Sequence, residues 1–140
     1  MNLKGSQTEK NLLAAFAGES QARNRYTFAA SVARPAGFEQ IAAIFLETAD
    51  NEKEHAEVFW KHLEGGEVEI TAGYPAGGTG DTLANLRAAE AGEKLEWGTL
   101  YPGFAATAQA EGFEAVAGSF PTCQEVRVLD GRPFAAHIEE

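Results

Sequence analysis

At 140 residues, 44% of them hydrophobic and 23% charged, the chain reads as one globular domain large enough to bury a core without staples. A formal net charge of −10 argues against nucleic acid or an anionic membrane surface as a partner, and fits a chain that gathers carboxylates around cations. The lone Cys123 cannot close an internal disulfide, no stretch is long and apolar enough to span a bilayer, and Met1–Ser6 has no apolar leader core; the expected location is the cytoplasm.

Ser6-Gln7-Thr8-Glu9 has the pattern of a capping box and predicts a first helix to about Val32. Its inward face is Leu12, Phe16, Glu19, Arg23 and Tyr26, so an acidic residue lies on the apolar stripe. Arg34-Pro35-Ala36-Gly37 breaks this helix and, being short, predicts an antiparallel return. The second helix is expected over about Phe38 to Glu64, ended by Gly65-Gly66. Ile41, Phe45, Thr48, Phe59 and Leu63 mark its inner face, and Glu52 and His55 share that face. Residues 1–64 are thus expected to form a first helical hairpin.

Residues 65–80 carry no helical signal. Fifteen extended residues from Gly66 reach about 50 Å, more than the roughly 40 Å of a 27-residue helix. The segment can therefore cross a whole bundle and set helices two and three parallel; a linker between two separate hairpins is the alternative. Asp81-Thr82 caps a third helix with inward positions Leu86, Ala89, Glu93, Glu96, Leu100 and Phe104, and Pro102 should distort it without ending it. A fourth helix should begin near Gly112-Phe113-Glu114, completing a second hairpin over residues 81–140.

The second half echoes the first. Ala17-Gly18-Glu19 recurs as Ala91-Gly92-Glu93, at an offset of 74, and Gly37-Phe38-Glu39 as Gly112-Phe113-Glu114, at 75. Applied to Glu52 and His55, these offsets lead to Val126 or Arg127 and to Leu129 or Asp130. The partner Glu-x-x-His is absent, so the second hairpin is expected to be incomplete, with a short or irregular fourth helix.

A single Glu-x-x-His is more often the mark of a solvated face than of a ligand pair. Five such groups on the inward stripes of three helices are different, because buried carboxylates stay ionised only beside cations. Glu19, Glu52, His55, Glu93 and Glu96 supply most of a di-iron or di-manganese carboxylate set. Glu90 and Glu111 are expected in solvent. Tyr26 and Tyr101 lie two turns beyond Glu19 and Glu93, and either donate to ligand carboxylates or simply pack. Trp60 and Trp97 are expected between helices or at a subunit contact; His62 and His137 lack ligand partners at useful spacing.

Lys4-Gly5-Ser6 through Leu12, Phe16-Ala17-Gly18-Glu19-Ser20-Gln21-Ala22-Arg23-Asn24-Arg25-Tyr26, Glu47-Thr48-Ala49-Asp50, Glu54-His55-Ala56, Tyr74-Pro75-Ala76-Gly77, Ala84-Asn85-Leu86, Ala91-Gly92-Glu93, Tyr101-Pro102 and Glu111-Gly112-Phe113 closely resemble the rubrerythrin family. The resemblance spans about residues 3 to 120. It implies an all-α, ferritin-like four-helix bundle with one long crossover, holding two iron ions and reducing hydrogen peroxide to water in oxidative-stress defence. By the same resemblance Glu19 and Glu96 are terminal ligands, Glu52 and Glu93 bridges, and His55 the residue that exchanges with Glu96 as one iron shifts.

Two departures stand out. The family usually carries a rubredoxin-like module with two Cys-x-x-Cys pairs, so with one cysteine here the electron donor is expected to be a separate protein such as rubredoxin. After Phe120 the chain reads Pro121-Thr122-Cys123-Gln124-Glu125, and Pro121, Gly131 and Pro133 oppose a regular helix. Only Glu125 is placed to replace the missing carboxylate, and the loss of pattern reads as a shifted frame or a truncation. One iron rather than two is the expectation if nothing completes the site. The alternatives are iron oxidation and sequestration on the same carboxylates, or an inactive helical interaction protein; a homodimer is expected in each case.

Overall fold

In the computed structural model, residues 1–76 and 79–121 are described. Among the described residues five helices run in order: α1 Gln7–Ala33, α2 Glu39–Trp60, α3 Thr82–Leu95, α4 Tyr101–Ala110 and α5 Glu114–Ser119. A π-helical turn, Glu96–Leu100, joins α3 to α4 into one rod, so the bundle has four members. No strand occurs among the described residues.

The starts of α1 and α3 obey their caps. Ser6 Oγ accepts from the Glu9 amide at 3.0 Å, and Glu9 reaches back to the Gly5 amide at 3.0 Å. Asp81 accepts from the Ala84 amide at 2.8 Å. α2 stops four residues before the expected Glu64. Its last turn tightens instead, with His62 and Leu63 amides donating three residues back to Phe59 and Trp60. Gly65 and Gly66 then take φ of +82° and +79°.

The repeat is a structural repeat. At the first turn Gly37 has φ +91°, its amide donates to Arg34, and the Phe38 amide donates to Ala33 at 2.9 Å. Seventy-five residues later Gly112 has φ +86°, its amide donates to Gln109, and the Phe113 amide donates to Ala108 at 2.8 Å. Both are Schellman closures, which need a left-handed residue and so a glycine. The change of offset from 74 to 75 falls between Glu93 and Tyr101, where the π turn lies. A π turn is an α-helix with one residue inserted. Pro102, with no amide hydrogen and a ring that crowds the carbonyl of Gly98, distorts the rod there without ending it.

Contacts at widely spaced positions give the directions. Tyr26 meets Glu93, Glu19 meets Tyr101 and Thr8 meets Glu111, so α1 is antiparallel to the α3–α4 rod. Lys4 donates to the Gly65 carbonyl at 2.8 Å and Glu19 meets His55, so α1 is antiparallel to α2 as well. α2 and the rod are therefore parallel, and the segment between them crosses the length of the bundle.

The core has two apolar clusters. One joins Ala22, Tyr26, Ala29 and Ala33 of α1 to Phe45 and Ala49 of α2 and Leu86 and Ala89 of α3. The other joins Leu3, Leu12 and Ala15 to Phe59, Tyr101, Ala108, Val116 and Phe120. Within it the rings of Phe59, Tyr101, Phe104 and Phe120 lie with centroids 5.2–6.0 Å apart. Glu19 and Glu52 fall between the clusters.

Several expected inward residues lie elsewhere. Arg23 is exposed, because α1 turns Ala22 and Tyr26 inward instead. Leu100 is 40% exposed. The inserted residue of the π turn rotates every later side chain of the rod by about 100°, so the buried stripe continues at Tyr101. Phe16, Ile41, Leu63, Glu96 and Phe104 are half-buried. Glu111, expected free in solvent, accepts from the Thr8 amide at 2.8 Å and from the Thr8 hydroxyl, tying the end of the rod to the start of α1. These two bonds hold its carboxyl below the usual range. Trp60 lies largely exposed against Phe16, ring centroids 5.3 Å apart. α5 begins where expected; Glu125, Cys123, the positions 126–130 and His137 lie outside the described residues, as do Gly77 and Gly78.

Candidate metal centre

Glu19 of α1 and Glu52 and His55 of α2 each bring a ligand-type atom within 4.8 Å of the other two. His55 Nδ1 is 3.5 Å from Glu19 Oε2 and 3.7 Å from Glu52 Oε2. The spacing of three residues places Glu52 and His55 on one helix face, and the antiparallel packing of α1 brings Glu19 opposite them. Both glutamates are fully buried, whereas 19% of the His55 side chain reaches the surface.

Two tyrosines frame this group. Tyr101 donates to Glu19 Oε1 at 2.6 Å, and Tyr26 donates to Glu93 Oε1 at 3.0 Å. Each hydroxyl serves the carboxylate of the other half of the repeat, not the glutamate two turns earlier on its own helix. The sequence signal for this crossing was present: equivalent residues on antiparallel helices exchange partners about a pseudo-twofold axis.

Other oxygens have no such donors among the described residues. Glu19 Oε2 and both oxygens of Glu52 are buried without a hydrogen-bond partner there, as is His55 Nδ1. A buried carboxylate with neither donor nor cation is among the costliest arrangements a fold can contain. The chemistry of the set, hard carboxylate oxygens with one imidazole, suits a divalent first-row metal. These residues therefore fit a metal centre, and the orphaned Glu52 oxygens are the observation that shows the fit.

The charges point the same way. Glu96, half-buried in the first turn after α3, is pushed up to about 11, first by burial and then by the charge of Glu19. Burial would lower the His55 imidazole, but the Glu19 carboxylate beside it, with Glu93 and Glu54 behind, outweighs burial and raises it. Burial and then Glu93 push the Tyr26 phenol well above its usual value, so it remains a proton donor at neutral pH. Burial leads the shifts of Glu96 and Tyr26, and the neighbouring carboxylates add to both and reverse the effect of burial on His55.

Of the five expected ligands, then, the fold gathers Glu19, Glu52 and His55, with Glu93 and Glu96 at the border through Tyr26 and Glu19. Glu47 Oε2 and Trp97 Nε1 are also buried without a hydrogen bond among the described residues.

A helical bundle with one long crossover and a buried carboxylate layer between two apolar clusters defines a ferritin-like protein. Residues 10–125 match the family model described as rubrerythrin. The rubrerythrin of Porphyromonas gingivalis is 56% identical over 142 residues, covering 99% of this chain and 71% of that relative. The rubrerythrin of Nitratidesulfovibrio vulgaris is 52% identical over 145 residues, covering 99% and 74%. The chain belongs to the rubrerythrin family. Among solved structures, the partially reduced state of nigerythrin superposes with a TM-score of 0.70 at 35% identity, and the fully reduced, all-ferrous state with 0.66 at 34%. These superpositions cover 83% of this chain but only 57% of the nigerythrin chains, so the chain spans little more than half their length.

Proposed function

We propose that the chain is a non-haem di-iron peroxidase that reduces hydrogen peroxide to water in oxidative-stress defence. The observation that carries this reading is Glu52, whose two buried oxygens lack a hydrogen bond within the described residues while Glu19 and His55 converge on them. Glu19, Glu52, His55, Glu93 and Glu96 would hold the iron. A ferrous pair bound there supplies the two electrons that O–O cleavage needs.

The residues around it have separable tasks. Tyr101 holds one oxygen of Glu19 and leaves Oε2 directed at His55. Tyr26 orients Glu93 in the same way from the other half of the repeat. His55 favours a proton in the absence of metal, so metal entry displaces that proton. Glu96, protonated at neutral pH without metal, lies near Tyr101 and would release that proton as metal enters, as His55 does. The apolar clusters above and below close the two ends of the layer between them.

A separate electron donor such as rubredoxin restores the reduced state, and the protein acts as a homodimer in the cytoplasm. A second reading is iron oxidation and sequestration, which uses the same buried carboxylates. Iron per chain after anaerobic ferrous reconstitution, and then peroxide turnover with reduced rubredoxin, tests both. Two irons and rapid turnover are expected. Ferrous oxidation without turnover selects sequestration, and no stoichiometric iron leaves only a helical interaction protein.

A further inference from the structure

Between α1 and the α3–α4 rod, beneath the crossover residues 71–75, lies a cavity of about 340 Å³. Its walls are small where the two helices face each other: Ala14, Gly18 and Ala22 from α1, Ala88 and Gly92 from α3. Gly18 and Gly92 are equivalent residues of the repeated triplet. Neither has a positive φ, and a Cβ built on either would meet nothing within 4 Å among the described residues. Neither a turn nor a close helix contact requires glycine at these two helix-interior positions, where it weakens a helix. What both glycines do is enlarge the cavity.

The rest of the wall is amphiphilic. Leu95, Leu100 and Phe104 line it, and the first two are 56% and 40% exposed. Tyr101 and Glu96, the groups nearest Glu19 in the carboxylate layer, line it too. Hydrogen peroxide is smaller than two water molecules, under about 60 Å³ at liquid density, and would leave most of this space unfilled. The volume falls instead at the lower end of the range for sites that take small organic molecules.

We propose that this cavity admits organic hydroperoxides, with the alkyl or aryl group against Leu95, Leu100 and Phe104 and the hydroperoxy group toward Tyr101 and Glu96. This rests on the peroxidase reading and extends it to a second substrate class. The O–O bond of ROOH breaks as two electrons and two protons are taken up, giving ROH and water. The electrons are those of the reduced di-iron centre, restored by the donor protein, and the protons come from solvent.

The test uses cumene hydroperoxide and its alcohol product, 2-phenylpropan-2-ol, with the full chain and its Gly18→Leu and Gly92→Leu variants. Both substitutions favour helix and fill the cavity. In the iron-free protein the alcohol should shift the methyl resonances of Leu95 and Leu100, and the shifts should vanish in the variants. In the iron-loaded protein the ratio of kcat/KM for cumene hydroperoxide to that for hydrogen peroxide should fall roughly tenfold or more in each variant, the scale of losing hydrocarbon contacts in an apolar pocket. Turnover of hydrogen peroxide without cumene hydroperoxide overturns the proposal, as does an unchanged ratio in both variants. Loss of alcohol binding on self-association would show that a second copy occupies the cavity, and also overturns it. Turnover of neither peroxide overturns the peroxidase reading itself, while alcohol binding to the iron-free chain still reports separately on the cavity.

Discussion

Tyr101 donates a 2.6 Å hydrogen bond to Glu19 across the bundle, and its repeat equivalent Tyr26 donates a 3.0 Å bond to Glu93 in the opposite direction. The two halves of the chain thus hold each other's carboxylates. Neither helical hairpin orients its inward glutamate alone.

Tyr101→Phe removes the phenol that donates to Glu19 Oε1 and leaves that oxygen buried. The iron-free protein should lose about 1–3 kcal/mol, the scale for a buried hydrogen bond to a charged group. Tyr26→Phe should cost less, because its bond is longer. Urea denaturation midpoints check this; equal midpoints for Tyr101→Phe and the parent chain would count against a stabilising bond from Tyr101 to Glu19.

Glu52→Leu replaces an unsatisfied buried carboxylate with an apolar side chain of similar size between two apolar clusters. The iron-free variant should melt higher than the parent by a few degrees, because the lost carboxylate accepts no hydrogen bond among the described residues and His55 keeps Glu19 beside it. The same change should remove at least one iron per chain. Calorimetry with and without ferrous iron reads both effects, and a lower melting temperature without iron would sink the argument.

Stability of the iron-free protein should fall as pH rises. The folded chain keeps a proton on Glu96 up to about pH 11, whereas the unfolded chain releases it near its ordinary value of 4.5. Between these limits the folded state binds more protons, so each rise in pH favours unfolding. His55, also raised, adds the same sign above its ordinary 6.5. The melting temperature should therefore be higher at pH 6 than at pH 8 without iron. Bound iron should reverse the trend, because these groups bind metal in their deprotonated forms.

Deleting Thr99 should turn the π turn into regular α-helix and rotate α4 back by about 100°. Tyr101, Phe104 and Ala108 would then leave the second apolar cluster. Near-ultraviolet circular dichroism should lose intensity and the denaturation midpoint should drop. A variant with the parent's spectrum would mean that the π turn does not set the register.

The helices were legible because their ends are written locally. Ser6 and Asp81 supply caps, and Gly37 and Gly112 supply the left-handed residue that each hairpin turn needs. The carboxylates were legible because Glu19, Glu52, His55 and Glu93 interrupt apolar stripes, an exception that periodicity exposes. The place of Arg23 was not legible: it is about 40° from Glu19 on a helical wheel, and only the position of α2 and the rod decides which flank of α1 is covered.

The sequence by itself determined where helices begin, that the chain is two related hairpins, and which carboxylate and imidazole groups interrupt the apolar stripes. All of these depend on neighbours within a few residues or on a repeat that can be counted. Which tyrosine meets which glutamate, the burial of Tyr101 in place of Leu100, and the cavity between Gly18 and Gly92 were decided by tertiary structure. They depend on the register of antiparallel helices and on one inserted residue, and a single insertion turns every later side chain by about 100° without altering the composition of the helix that carries it.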